Sequence, residues 1–103
     1  MAQPAIIINS KSGADDKESL RDKLAELFSA RGLSPVISLL HDGSELIPLA
    51  QRRLSEGYNP IVAGGGDGTI SAVASVLVDT PTALGVLPLG TLNHFAKDMK
   101  IPL

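Results

Sequence analysis

The segment Ile61-Val62-Ala63-Gly64-Gly65-Gly66-Asp67-Gly68-Thr69 empties a short apolar run into four glycines around a single aspartate. Glycines at a strand-to-helix junction let backbone N–H groups approach a bulky anion, and the helix N-terminus beyond them favours negative charge. A carboxylate among glycines gains no packing, so Asp67 is the leading candidate for a chemical role. Capping of the adjoining helix is the alternative. Two more polar, glycine-bearing segments accompany it, Asn9-Ser10-Lys11-Ser12-Gly13 and Pro88-Leu89-Gly90-Thr91-Leu92-Asn93. Together the three offer backbone amides, the hydroxyls of Ser10, Ser12, Thr69 and Thr91, the Asn93 side chain and the Asp67 carboxylate. That set suits a nucleotide polyphosphate with a divalent cation. Amides hold the oxygens, and a carboxylate holds the metal directly or through water.

Plainer readings stand beside each of these. Glycine-rich turns also occur where a helix merely packs close to a strand, although four glycines in five positions exceed what packing needs. Neither dominant phosphate pattern is present. No Gly-Lys-Ser/Thr triplet closes a Walker loop, and the dinucleotide fingerprint belongs after the first strand, where only Gly13 stands. Taken alone, residues 9–13 read equally well as a polar turn, Pro88 and Gly90 as punctuation, and Thr91 as an N-cap. Lys11 sits in a candidate ligand loop, but lysine in a polar loop is usually just exposed. His94 in a first helical turn is more often a surface or capping residue than a catalyst. His41 reads as a solvated turn residue. Lys97 and Lys100 read as a solvated face, with contact to phosphate or lipid headgroups as the lesser alternative.

The elements that must position these segments alternate in type. Residues 4–8 form a β-branched run bounded by polar residues, which predicts a strand. Asp15-Asp16 opens a helix whose Leu20, Leu24, Leu27 and Phe28 make one apolar stripe, with Arg31 in its last turn and Gly32 just beyond. A second strand is expected over 35–40, and a turn at His41-Asp42-Gly43-Ser44 with Ser44 as N-cap. The second helix runs to about Glu56, with Leu46, Leu49, Ala50 and Leu54 inward and Pro48 in the first turn, where a missing N–H costs least. A third strand over 61–63, a third helix from Thr69 to about Val78, a fourth strand over 83–87 and a short helix from Thr91 to about Met99 complete the pattern. Strands alternating with helices predict an α/β fold, a Rossmann-like three-layer arrangement of a parallel sheet with helices on both faces. Strand order is not readable. In such sheets ligands bind beyond the carboxyl ends of the strands, and all three polar segments come directly after strands.

Composition narrows the classes. A chain of 103 residues is one domain, and 44% hydrophobic content supplies a core that must be aliphatic, because aromatics are only 3%. With no cysteine there is no disulfide framework and no thiolate metal site. A net charge of −2 gives no field that draws the chain onto nucleic acid or anionic lipid. The apolar run near Met1 lacks a basic flank and is too short for a signal peptide or membrane span, so a cytoplasmic protein is expected. Lys100-Ile101-Pro102-Leu103 carries no closing signal, as if the first domain of a longer protein were cut there.

These motifs resemble the catalytic domain of the diacylglycerol kinase-like lipid kinases, including the sphingosine, ceramide and bacterial enzymes. Gly65-Gly66-Asp67-Gly68-Thr69 is similar to the family's glycine-aspartate nucleotide loop. Asn9-Ser10-Lys11-Ser12-Gly13 is similar to its Asn-Pro-x-Ser-Gly loop, with Ser10 in place of proline. Pro88-Leu89-Gly90-Thr91-Leu92-Asn93-His94-Phe95-Ala96 is similar to its Pro-x-Gly-Thr-x-Asn-Asp-Phe-Ala segment, which is what selects lipid kinases, since NAD kinases and phosphofructokinases share the glycine loop. The resemblance spans nearly the whole chain. It implies an ATP site between an NAD kinase/phosphofructokinase-like N-terminal domain and a second, β-rich domain absent here. Asn9, Ser10, Lys11, Ser12, Gly13, Gly65, Gly66, Asp67, Gly68, Thr69, Gly90, Thr91 and Asn93 would bind nucleotide. Asp67 would sit near the phosphates and Mg2+, and has been considered for catalysis as well.

Three departures qualify the match. Ser71 and Ala72 stand where the family carries Asn-Glu, His94 replaces an acid, and the acids of a second domain are missing. The expected activity is transfer of the γ-phosphoryl of Mg-ATP to a lipid hydroxyl such as that of diacylglycerol, reached at a membrane surface by peripheral association. The 103 residues alone are expected to be inactive and open to self-association. An NAD kinase-like enzyme with a soluble substrate, or a nucleotide-binding module without catalysis, are the alternatives.

Overall fold

The computed structural model describes residues 3–9 and 14–88. Ser10, Lys11, Ser12, Gly13, Gly90, Thr91, Asn93, His94, Lys97, Lys100 and the expected fourth helix lie outside the described residues.

Among the described residues four strands and three helices alternate. They are β1 (Ala5–Asn9), α1 (Ala14–Ser29), β2 (Val36–Leu40), α2 (Leu46–Ser55), β3 (Ile61–Gly65), α3 (Asp67–Leu77) and β4 (Leu84–Pro88). All neighbours pair in parallel, in the order β2-β1-β3-β4. The expected α/β Rossmann-like sheet is therefore present. Its two central strands, β1 and β3, are buried almost throughout. Ala5, Ile6, Ile7 and Ile8 are all at or within 1% of full burial. A continuous apolar run, instead of an alternating one, is what a strand covered on both faces requires.

The pleat divides β1 between two cores. Ile6 and Ile8 pack with Val62 against Leu20 and Leu24 of α1. Ala5 and Ile7 join Ile61 and Ala63 on the opposite face, under Leu46, Leu49 and Ala50 of α2 and Val73 and Leu77 of α3. Among the described residues one helix thus covers one face and two cover the other. Among the described residues no helix is long and apolar enough to cross a membrane.

Several boundaries differ from the sequence expectation. α1 ends at Ser29, and Arg31 lies just past it, donating from its guanidinium to the Leu27 carbonyl at 3.2 Å. Gly32 takes φ 75, the left-handed turn that glycine tolerates. Ser44 is not the N-cap. Asp42 caps a short 3-10 turn, Gly43–Glu45, by accepting from the Ser44 N–H at 2.8 Å, and the Ser44 hydroxyl also donates to it. The carboxylate is two residues upstream and can accept both bonds, so it takes the capping place. These bonds, the hydroxyl's first, hold the Asp42 carboxyl below its ordinary range.

The amino ends of the strands are laced together. Gln3 accepts from Asn59 N–H with its backbone and from Ser34 N–H with its side chain. Asn59 Oδ1 accepts from the Ala83 N–H at 3.0 Å, and Ile61 N–H donates to the Ala83 carbonyl. The carboxyl ends, where the polar segments lie, are built differently.

Candidate functional site

The chain leaves β1 for β2 on one side, then returns to the other side of β1 to lay down β3 and β4. Such a reversal opens a crevice beyond the strand ends. The register locates it. β1 stays paired with β2 as far as Asn9–Leu40, and β3 with β4 as far as Gly65–Pro88. β1 and β3 pair only as far as Ile8–Gly64. Asn9 and Gly65 are the first residues beyond that shared ladder, and both belong to the expected site.

The glycine-rich stretch beyond Gly64 is not a loop. β3 continues through Gly65, and α3 begins at Asp67, two residues before the expected start at Thr69. Only Gly66 lies between strand and helix. Ladder pairing outweighs the poor strand propensity of glycine: Gly64 pairs with both β1 and β4, and Gly65 with β4 alone, so both are drawn into the sheet.

The glycines differ in what the fold asks of them. Gly65 is buried at φ 157, and a Cβ there would stand 2.8 Å from the Asn9 carbonyl oxygen and 2.8 Å from Thr69 Oγ1. No real side chain fits that space, so packing accounts for Gly65. Gly66 and Gly68 are exposed, and a Cβ on either would meet no atom within 4 Å. Neither takes a left-handed φ. Packing leaves both unaccounted for, and Gly68 costs α3 about 0.5–1 kcal/mol relative to alanine.

Gly66 is the N-cap residue of α3 and gives it no side-chain cap. The first-turn N–H groups therefore have no side-chain acceptor at the cap. Asp67 is the first helical residue and exposed, so it is not the cap; it brings negative charge to the positive end of the helix dipole. Thr69 is 8% exposed, a buried polar side chain in an otherwise apolar interior. Its Oγ1 accepts from Asn9 Nδ2 at 3.2 Å. The structure thus brings Asn9, Gly65, Gly66, Asp67, Gly68 and Thr69 to one sheet edge. Among the described residues no three acidic, imidazole or thiol groups gather as a metal cage.

One contact has no counterpart in the sequence expectation. A Cβ on Gly43 would stand 3.8 Å from Asn9 Nδ2, so the turn after β2 lies close to the Asn9 side chain. Parallel pairing of β2 with β1 puts that turn on the same edge, and knowing the strand order would have revealed it. Of the departures from the family motifs, Ser71 is exposed and Ala72 packs against the core under α2 and α3.

Comparison with known proteins gives a consistent picture. Residues 3–103 match the family model of the diacylglycerol kinase catalytic domain. The chain is 34% identical over 101 residues to a probable lipid kinase YegS of Escherichia coli, an alignment covering 94% of this chain and 33% of that protein. It is 34% identical over 100 residues to a diacylglycerol kinase of Staphylococcus aureus, covering 94% of this chain and 31% of that protein. It is 35% identical over 92 residues to a probable lipid kinase YegS-like protein of Pseudomonas fluorescens, covering 84% and 31%. The chain spans about a third of the length of the curated relatives it matches.

Proposed function

This chain belongs to the diacylglycerol kinase catalytic domain family, and on that footing we propose that it forms the nucleotide-binding part of an ATP-dependent lipid kinase. The observation that carries the reading is the state of α3's N-terminus at the β1/β3 crevice. It has no side-chain cap, and Gly66 and Gly68 keep it bare at positions where the fold does not demand glycine. A polyphosphate lying on that turn explains both.

In this proposal the first-turn amides of α3 and the Thr69 hydroxyl donate to phosphate oxygens. Asp67 would share in holding Mg2+ beside those phosphates, and the ion would supply charge neutralisation on the transferring group. A lipid hydroxyl attacks the γ-phosphorus of ATP; the new P–O bond gives a phosphate monoester, the bond to the β-phosphate oxygen breaks, and ADP leaves. The hydroxyl's proton passes to a base of the complete site. Phosphoryl transfer depends mainly on positioning and on charge stabilisation, which fits a site made of amides and one acid. The lipid is met at a membrane surface, and a second, β-rich domain supplies the rest of the cleft. The relatives named as lipid kinases favour a lipid acceptor over a soluble one.

The test uses the whole protein, Mg-ATP and diacylglycerol, with phosphatidic acid as the readout and Asp67→Asn alongside. Phosphatidic acid formed by the unaltered protein and lost in the variant is the expected result. No phosphorylation across a panel of lipids would overturn the reading. The 103 residues alone are expected to bind ATP weakly, and sub-micromolar affinity in a titration would show that the cleft is already whole.

A further inference from the structure

The geometry points to Asn9 as a positioning residue that acts on the nucleotide through Thr69 and not by direct contact. The inference rests on the proposed nucleotide site. It starts from one hydrogen bond, Asn9 Nδ2 to Thr69 Oγ1 at 3.2 Å, which ties the end of β1 to the first turn of α3. An amide NH2 donates and cannot accept, whereas a hydroxyl has one proton to give and two lone pairs to fill. With one lone pair filled by Asn9, the Thr69 proton is left for another acceptor, and the amide nitrogen cannot be that acceptor. Thr69 is the third residue of α3, in the turn whose N–H groups lack a side-chain cap. An anionic oxygen bound on that turn is the natural acceptor.

The alternative for a helical threonine is to turn its hydroxyl back onto the carbonyl four residues earlier. For Thr69 that residue is Gly65. The Asn9 bond ties Oγ1 to the end of β1 instead, and Gly65, lacking a Cβ, leaves the room. Gly43 lies beside the Asn9 amide, where an added Cβ would stand 3.8 Å from Nδ2. Asn9 therefore fixes the hydroxyl while Thr69 touches phosphate.

A double-mutant cycle on the whole protein tests this, with ATP and adenosine titrated into the unaltered protein, Asn9→Ala, Thr69→Val and the pair. Thr69→Val is expected to weaken ATP binding about tenfold, the order of one charge-assisted hydrogen bond. Asn9→Ala is expected to weaken it several-fold, and the pair no more than Thr69→Val alone. Adenosine, which lacks phosphates, is expected to bind all four within about twofold; a general loosening of the fold would lower both ligands together. Should Asn9→Ala fail to fold, Asn9→Ser takes its place with the same expectations. Losses that multiply in the pair, an equal fall for adenosine, or wild-type ATP affinity in the Asn9 variant would each overturn the inference while leaving the nucleotide site standing. If the unaltered protein binds no ATP, the proposed function falls and takes this inference with it.

Discussion

Replacing Gly68 with alanine separates what the fold needs from what a ligand needs. Gly68 is the second residue of α3, takes no left-handed φ, and has open space where a Cβ would stand. Alanine there is expected to stabilise the helix by about 0.5–1 kcal/mol, partly by restricting the unfolded chain. For a domain of this size that raises the melting temperature by roughly 2–8 °C. The same methyl enters the turn whose N–H groups are proposed to hold phosphate, so ATP affinity of the whole protein is expected to fall about tenfold or more. Gly65→Ala is the contrasting variant. Its Cβ would lie 2.8 Å from both the Asn9 carbonyl oxygen and Thr69 Oγ1, and overpacking of that kind costs about 1–3 kcal/mol. Thermal melts of the 103-residue chain and ATP titration of the whole protein read out both. A Gly68→Ala chain that melts lower than the parent would refute the packing argument. One that binds ATP with unchanged affinity would refute the reason given for the glycine.

Three further outcomes are expected. Asp67→Asn changes an exposed side chain with no hydrogen bond among the described residues, so unfolding in urea is expected to shift by less than about 0.5 kcal/mol while lipid phosphorylation falls about a hundredfold or more. Asp42 has a folded pKa below its ordinary 3.8 because Ser44 donates to it; the unfolded chain therefore binds more protons, and the stabilisation is present above 3.8 and lost as pH falls through the folded value. The stability gap between the parent and Asp42→Ala is thus expected to hold at neutral pH and to close in acid, as urea melts at both would show. Ile7→Ala removes a fully buried side chain under α2 and α3, and a loss of about 2–5 kcal/mol is expected by denaturant titration.

Much of this architecture is legible in the residues, and the gaps have physical causes. The Leu20, Leu24 and Phe28 stripe and the continuous Ile6-Ile7-Ile8 run declare a one-sided helix and a two-sided strand without help from the rest of the chain. Whether β3 lies beside β2 or beside β1 is not encoded locally, because a crossover helix can return on either side; the crevice depends on that choice. Asp42 and Ser44 are both good caps by residue type, and only the backbone decides which one reaches the first N–H. Gly65, Gly66 and Gly68 look alike in sequence. They separate once the neighbours within 4 Å are known. Asn9 and Thr69 lie 60 residues apart, so no local pattern could announce their bond.

The placement of β1 has a consequence for the order of folding. Its partners are β2, at residues 36–40, and β3, at residues 61–65. Pairs so distant along the chain form slowly. During synthesis β1 emerges first and can pair with β2, but the slot on its other edge stays open until residue 65 has left the ribosome. Through that interval Ile6, Ile7 and Ile8 present an unpaired apolar edge to any other nascent strand. A strand that ends in the interior of the sheet is, on the way there, its most hazardous, and chains arrested before β3 are expected to aggregate more readily than the completed chain.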